Sequence, residues 1–143
     1  MFRPIRREVL VLAACLIAPL TAACSDSNTT SSGTTTPSPV AVTDTFTGAL
    51  NPNGAQQFPF AVPTAGTVIA TLTNVGPDAA SIVGFALGTW NGAACQLVLT
   101  NDKATKSTVI QGTVSGAGNL CVRVYDVGNL TSAQSFQIDV AHP

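Results

Sequence analysis

The chain has 143 residues, enough for one ordinary domain, and only 9% of them are charged. Three of the six basic residues lie in the first seven positions, and after Cys24 only three basic residues stand against six aspartates. Because the sequence has no basic stripe able to neutralise phosphates, nucleic acid is excluded as an expected partner.

The N-terminal segment has the three parts of a secretory signal. A basic stretch, MFRPIRRE, precedes an apolar run over residues 9–23, and small residues stand before Cys24. The apolar run contains Pro19 and is shorter than the roughly 20 residues that a helix needs to cross a bilayer. We therefore expect residues 1–23 to be a cleaved signal peptide and not a transmembrane anchor.

The junction LTAACSDS, residues 20–27, resembles the lipobox of bacterial lipoproteins, where a peptidase cleaves before a cysteine that carries a diacylglycerol. The resemblance implies lipidation of Cys24 and attachment to the membrane of a bacterial cell envelope, with the domain outside the cytoplasm. Ser25 after the cysteine is similar to lipoproteins that diderm cells pass on to the outer membrane.

Two alternatives for this junction remain open. The lipobox family favours Leu three residues before the cysteine, where Thr21 stands here. LAAC at residues 12–15 matches that preference better, but cleavage before Cys15 would leave an apolar region of only about six residues. A plain signal, cleaved to leave Cys24 as a free thiol, is the other alternative.

The polar segment SDSNTTSSGTTTPSP follows, at residues 25–39. It has no side chain able to join an apolar core, so we expect a disordered Ser/Thr-rich tether over residues 24–41. A flexible coil of this length averages roughly 20 Å from end to end. The folded domain is expected over residues 42–143.

The remainder of the chain alternates apolar and polar residues with a period of two. The alternating segments are VTDTFTGAL (42–50), QFPFAV (57–62), TVIATLT (67–73), SIVGFALGTW (81–90), CQLVLTN (95–101), KSTVIQGTVS (106–115), NLCVRVYD (119–126) and SFQIDV (135–140). Turn-forming stretches such as NPNG, PTAG and SGAG separate them. About eight short strands with this punctuation predict an all-β fold, a β-sandwich, with Pro59 on a strand at the edge of a sheet.

The segments TFTGALNPNGAQQFPFAV and GNLCVRVYDVGNL resemble bacterial pre-peptidase C-terminal domains. The similarity covers roughly residues 43–140 and implies an exported sandwich of jelly-roll type. No peptidase domain precedes the segment here, and the resemblance transfers no catalytic residue.

Cysteine parity indicates one disulfide. If Cys15 leaves with the signal and Cys24 is acylated, Cys95 and Cys121 remain as a pair. Such a bond suits the oxidising space outside the cytoplasmic membrane. Since Cys121 alternates with Arg123 and Tyr125, we expect the bond on the outer face of its sheet or near a strand end.

Three side chains are candidate ligand contacts. Trp90 precedes Asn91-Gly92, and its ring is expected to cover the end of the sandwich or the bond at Cys95. The alternative is a loop tip, where an aromatic ring can stack on a sugar or contact a partner. Arg123 and Tyr125 share one face of their strand and form a possible polar contact site.

Metal and catalytic signals are sparse. Oxygen atoms of Asn101, Asp102, Asp126 and Asn129 are candidates for Ca²⁺ if their loops converge, although capping of turns is the simpler role. No other cofactor is indicated. The only Glu is Glu8 and the only His is His142, which is expected at a frayed terminus and so in no position to act as a base.

These patterns predict a non-catalytic, lipid-anchored envelope protein that displays one β-sandwich. Its expected role is structural, adhesive or in support of a partner protein. The alternative is a module that binds carbohydrate or calcium.

Overall fold

The structure, a computed structural model, describes residues 41–143, and within them the domain is all-β. Its strands are β1 (Val42–Leu50), β2 (Ala55–Val62), β3 (Gly66–Gly76), β4 (Val83–Trp90), β5 (Cys95–Ala104), β6 (Val109–Val114), β7 (Gly118–Tyr125) and β8 (Gln134–His142). Each corresponds to one alternating segment of the sequence. The described part of the chain contains no helix suited to crossing a membrane. The predicted signal peptide and all but the last residue of the predicted tether lie outside the described residues.

The eight strands form two antiparallel sheets of four. The first sheet has the order β1-β8-β3-β6 and the second the order β2-β7-β4-β5. Only β4 and β5 are consecutive strands within one sheet; every other connection passes from one sheet to the other. This is the eight-stranded jelly-roll arrangement of a β-sandwich, and the predicted fold class is confirmed.

The core lies between the sheets because each strand turns one row of apolar side chains inward. The first sheet contributes residues such as Leu72, Ile138 and Val140, and the second contributes Phe85 and Val122, all of them fully buried. Facing rows of this kind are what two packed sheets require.

A β-bulge in β3 changes which residues enter the core. Val68, Ala70 and Leu72 point inward, but the pairing with β8 shifts register between Leu72 and Asn74. The extra residue reverses the alternation, so that Val75 is buried. A strict period of two would have placed Val75 on the outer face.

The edge strands β1 and β2 face each other across one side of the sandwich, where aromatic rings close the gap. Phe46 stacks on Phe58 with ring centroids 5.1 Å apart, and Phe58 meets Phe136 edge-on at 5.9 Å. Pro59 lies on β2 at the edge of the second sheet, as its missing N–H led us to expect.

Candidate binding face

The three candidate contact residues lie on one surface, the outer face of the second sheet. Along β7, Arg123 and Tyr125 alternate with the buried Val122 and Val124, and along β4 the outward row ends at Trp90. By contrast, the outer face of the first sheet carries threonines of β1 and β3, small and polar residues of β8, and the exposed aliphatic side chains Ile69 and Val109. We call the surface that carries Trp90, Arg123 and Tyr125 the aromatic face.

The disulfide lies beside this face and is buried by the start of β5. Cys95 and Cys121 are bonded, as predicted, with Cα atoms 5.7 Å apart. They belong to β5 and β7, which are separated by β4 in the sheet order, so the first residues of β5 must fold over β4. Cys121 points to the outer side and Cys95 begins its strand, as expected, yet Cys121 is 0% exposed.

Gly88 permits this crossing. A Cβ atom at residue 88 would lie 2.1 Å from the carbonyl oxygen of Gln96, a main-chain atom that cannot move aside cheaply. The absence of a side chain therefore lets β5 approach β4 closely enough for the disulfide to reach β7. The Cys95 N–H also donates to Oε1 of Gln57 on β2, at 3.1 Å, which ties the start of β5 to a third strand.

Tyr125 is held at the other end of the aromatic face. Its ring covers Gly84, where an added Cβ would clash with ring carbons, and its hydroxyl donates to Oδ1 of Asp102 on β5. Burial, followed by the hydrogen bond to the Asp102 carboxylate, raises the pKa of Tyr125 from 10.0 to about 12. The guanidinium of Arg123 lies 5.5 Å from the centre of the ring, a cation–π contact.

Trp90 ends β4 and is half-buried, so it lies at the base of a hairpin and not at the tip of a loop. Asn91 forms the turn: its Oδ1 accepts N–H groups of Ala93 and Ala94 at 3.0 and 2.8 Å. A shallow depression beside the ring is lined by Pro59, Phe60, Ala61, Trp90, Asn91, Gly92 and Asn119. The indole is therefore open on one side, next to amide groups.

Of the four proposed calcium ligands, Asp126 and Asn101 cap turns and Asp102 accepts the Tyr125 hydroxyl. Oδ1 of Asp126 accepts N–H groups of Gly128, Asn129 and Leu130, and Oδ2 accepts the Asn53 N–H at 2.7 Å. These hydrogen bonds lower the pKa of Asp126, and the bond from the Asn53 N–H has the largest effect. Oδ1 of Asn101 accepts the Lys103 N–H at 2.9 Å. Within residues 41–143 no three His, Cys, Asp or Glu side chains gather as a metal site would require.

The expectation for His142 is wrong. The residue pairs with Val42 in the last register position of β8 and follows the inward row of that strand, so it is only 5% exposed. Nε2 lies 3.1 Å from Oδ2 of Asp44, Nδ1 lies 3.0 Å from the Pro143 carbonyl oxygen, and the ring packs on Phe60 at 5.3 Å. The pairing of β8 with β1, which begins 100 residues before His142, holds in place a segment that we expected from the sequence to be frayed.

Sequence reasoning missed Gln57 as a member of the aromatic face. Gln57 lies opposite Arg123 in the β2–β7 pairing. Its alternation with Phe58 and Phe60 indicates that Gln57 points outward. The neighbouring strand, and so the residue beside Gln57, depends on the order of strands in the sheet. The link between Tyr125 and Asp102 was missed for the same reason.

No known protein-family model matches this chain, and no curated protein has significant similarity to it.

Proposed function

We propose that this chain is a lipid-anchored protein of the bacterial cell envelope that displays a non-catalytic β-sandwich, with the aromatic face as its contact surface for a partner. The role is structural, adhesive or in support of that partner. The likeness to pre-peptidase C-terminal domains, noted from the sequence, agrees with an exported accessory module of this kind.

The observation that carries the proposal is the grouping of Trp90, Arg123 and Tyr125 on a single sheet face. Aromatic and arginine side chains are enriched where proteins bind partners, because each offers a large contact area and a polar group. The outward positions of the first sheet hold no aromatic residue within the described chain. The two faces of the domain therefore differ in their capacity to bind.

Support for the anchorage comes from the sequence around Cys24 and from the disulfide. A bond between Cys95 and Cys121 is expected in an oxidising compartment, which agrees with export. We propose a non-catalytic domain because the single histidine, His142, is buried and both of its ring nitrogens lie close to acceptor oxygens. A general base must instead reach the proton of a bound substrate.

Two measurements test the anchorage. Mass spectrometry of the N-terminal peptide should find a diacylglyceryl group on Cys24, and Cys24→Ser should move the protein from the membrane fraction to the soluble fraction. An unmodified Cys24 in the membrane fraction, or an intact signal peptide there, would contradict lipid anchoring.

A third experiment tests the contact surface. Chemical cross-linking in intact cells should capture fewer partners with Trp90→Ala or Arg123→Glu than with the unaltered protein. Gln111→Ala, on the exposed outer side of β6, is the matched control and should leave the cross-linked products unchanged. Equal loss in all three variants would remove the aromatic face from the proposal.

Carbohydrate binding is the second candidate, favoured by the depression beside Trp90. An indole ring next to the amides of Asn91 and Asn119 combines a stacking surface with hydrogen-bonding groups. Glycan arrays read with the unaltered protein and with Trp90→Ala test it, and binding that survives the substitution would count against the site.

A further inference from the structure

A second depression lies beside the aromatic face, at the edge of the second sheet where β2 pairs with β7. It has a volume of about 240 Å³ and is lined by Ala55, Gln56, Gln57 and Arg123. Gln57 and Arg123 are directly opposite each other on β2 and β7. Ala55 is a small residue two positions before Gln57 on the same side of β2, and no acidic residue lines the depression.

Arg123 and Gln57 present free hydrogen-bond donors to this depression. Within residues 41–143 no carboxylate lies within 4.0 Å of the Arg123 guanidinium, since the one ion pair of the described chain joins His142 to Asp44. The Gln57 atom that meets the Cys95 N–H must be the carbonyl oxygen, because an N–H group needs an acceptor. The amide nitrogen of Gln57 is thus fixed on the other side, with two N–H donors. The Gln56 amide nitrogen donates to the Ala49 carbonyl oxygen, which leaves its carbonyl oxygen as the one acceptor that Gln56 can offer.

Arg123 is also restrained before any ligand arrives. Its guanidinium lies against the Tyr125 ring, which is itself fixed over Gly84 and hydrogen-bonded to Asp102. A side chain held in this way loses less conformational entropy on binding than a free surface arginine does. Asp102, the acidic residue nearest to Tyr125 in the hydrogen-bond network, is occupied by the phenol.

A rigid guanidinium beside an amide N–H pair fits a carboxylate. The guanidinium fork donates two parallel hydrogen bonds to a carboxylate, and one positive charge balances one negative charge. A phosphate dianion would call for a second cation, and none lines the depression. Arg123 lies four residues along β7 from Asn119, or about 13 Å, so the depression beside Trp90 is on the same face and close enough to contact one extended ligand.

We propose that the depression between Arg123 and Gln57 binds the carboxylate of an acidic sugar, whose neighbouring units contact Trp90. This inference rests on carbohydrate binding, the second candidate of the proposed function. It adds a charge requirement and names two residues that impose it, Arg123 as the carboxylate clamp and Gln57 as the second donor.

The test is a calorimetric titration of the detergent-solubilised full chain with oligogalacturonate, and separately with its uncharged methyl ester. We expect the acid to bind more tightly than the ester. Arg123→Gln and Gln57→Glu should weaken binding of the acid by roughly 10- to 100-fold, the usual effect of losing hydrogen bonds to a charged group. Gln57→Glu keeps an oxygen for the Cys95 N–H, removes the amide donor and places a negative charge opposite Arg123. Lys106→Gln removes one positive charge from the β5–β6 turn and should leave both affinities unchanged.

The outcomes separate this inference from the proposal on which it rests. Equal affinity for acid and ester, both lost in Trp90→Ala and neither altered in Arg123→Gln, would overturn the carboxylate site and leave carbohydrate binding in place. Absence of binding by either probe would overturn the inference outright. Binding of a tri-glutamate peptide with the same dependence on Arg123 would show that the carboxylate comes from a protein and overturn the assignment to a sugar.

Discussion

Removing the disulfide should destabilise the domain by an amount that its position in the chain determines. Cys95 and Cys121 are 26 residues apart, and constraining a loop of that length in the unfolded state is worth about 3.5 kcal/mol in the chain-entropy description. Replacing both residues with alanine should therefore lower the free energy of unfolding by that amount. For a domain of about 100 residues this corresponds to a fall in melting temperature of roughly 14–28 °C.

Trp90 makes the measurement specific. It is the only Trp in the chain and pairs with Cys95 across the β4–β5 hairpin, so its fluorescence reports the region that the bond holds. Urea unfolding of the oxidised protein, the reduced protein and the double alanine variant gives three free energies. The reduced protein is the control, and it should match the double variant.

A loss below about 1 kcal/mol would refute the reasoning. It would mean that the bond from Cys95 N–H to Gln57 and the close approach at Gly88 hold the start of β5 without covalent help. A full loss accompanied by faster amide exchange at the start of β5 would show that the disulfide also maintains the crossing over β4.

Three other predictions follow from the contacts of the aromatic face and its turns. Tyr125, the only Tyr, should titrate near pH 12 by ultraviolet absorbance, and Asp102→Asn should lower that pKa without restoring 10.0, because burial remains. Since the folded state retains the phenolic proton longer than the unfolded state, stability should fall as pH rises from about 10 to about 12. Gly88→Ala should cost about 1–3 kcal/mol in urea unfolding, because its Cβ would meet the Gln96 main chain. Asp126→Ala should lower the melting temperature at neutral pH. In the unaltered protein, the stability that charged Asp126 contributes is present above the ordinary pKa of Asp and is lost as the pH falls through the lowered pKa of the folded state. Asp126→Ala should also remove this part of the acid transition.

Each of these has an outcome that would contradict it. A phenol that titrates near 10 in the folded protein would deny the burial of Tyr125. Gly116→Ala, where an added Cβ meets nothing within 4 Å, is the control for Gly88→Ala, and equal stability of the two variants would rule out the close crossing. An unchanged acid transition in Asp126→Ala would show that its four N–H bonds do not select the charged form.

Parts of the candidate site could be predicted from the sequence because they depend on a single strand. Arg123 and Tyr125 share a face since alternate residues of any strand point the same way. The partner of each could not be predicted, because Gln57 and Asp102 lie 66 and 23 residues away from Arg123 and Tyr125 and meet them only through the sheet order. The sequence likewise left two positions open for Trp90, since its exposure depends on the turn that Asn91 anchors after it.

By itself the sequence determined that the domain is all-β, where its eight strands and turns lie, and which two cysteines form a bond. These properties follow from the backbone, whose extended form alternates side chains and whose turns require particular residues. The tertiary structure alone decided the jelly-roll strand order, the entry of Val75 into the core, the burial of His142 and the passage of the disulfide over Gly88. Such features arise from contacts between segments far apart in the chain, as when Val42 pairs with His142, and no local pattern records them.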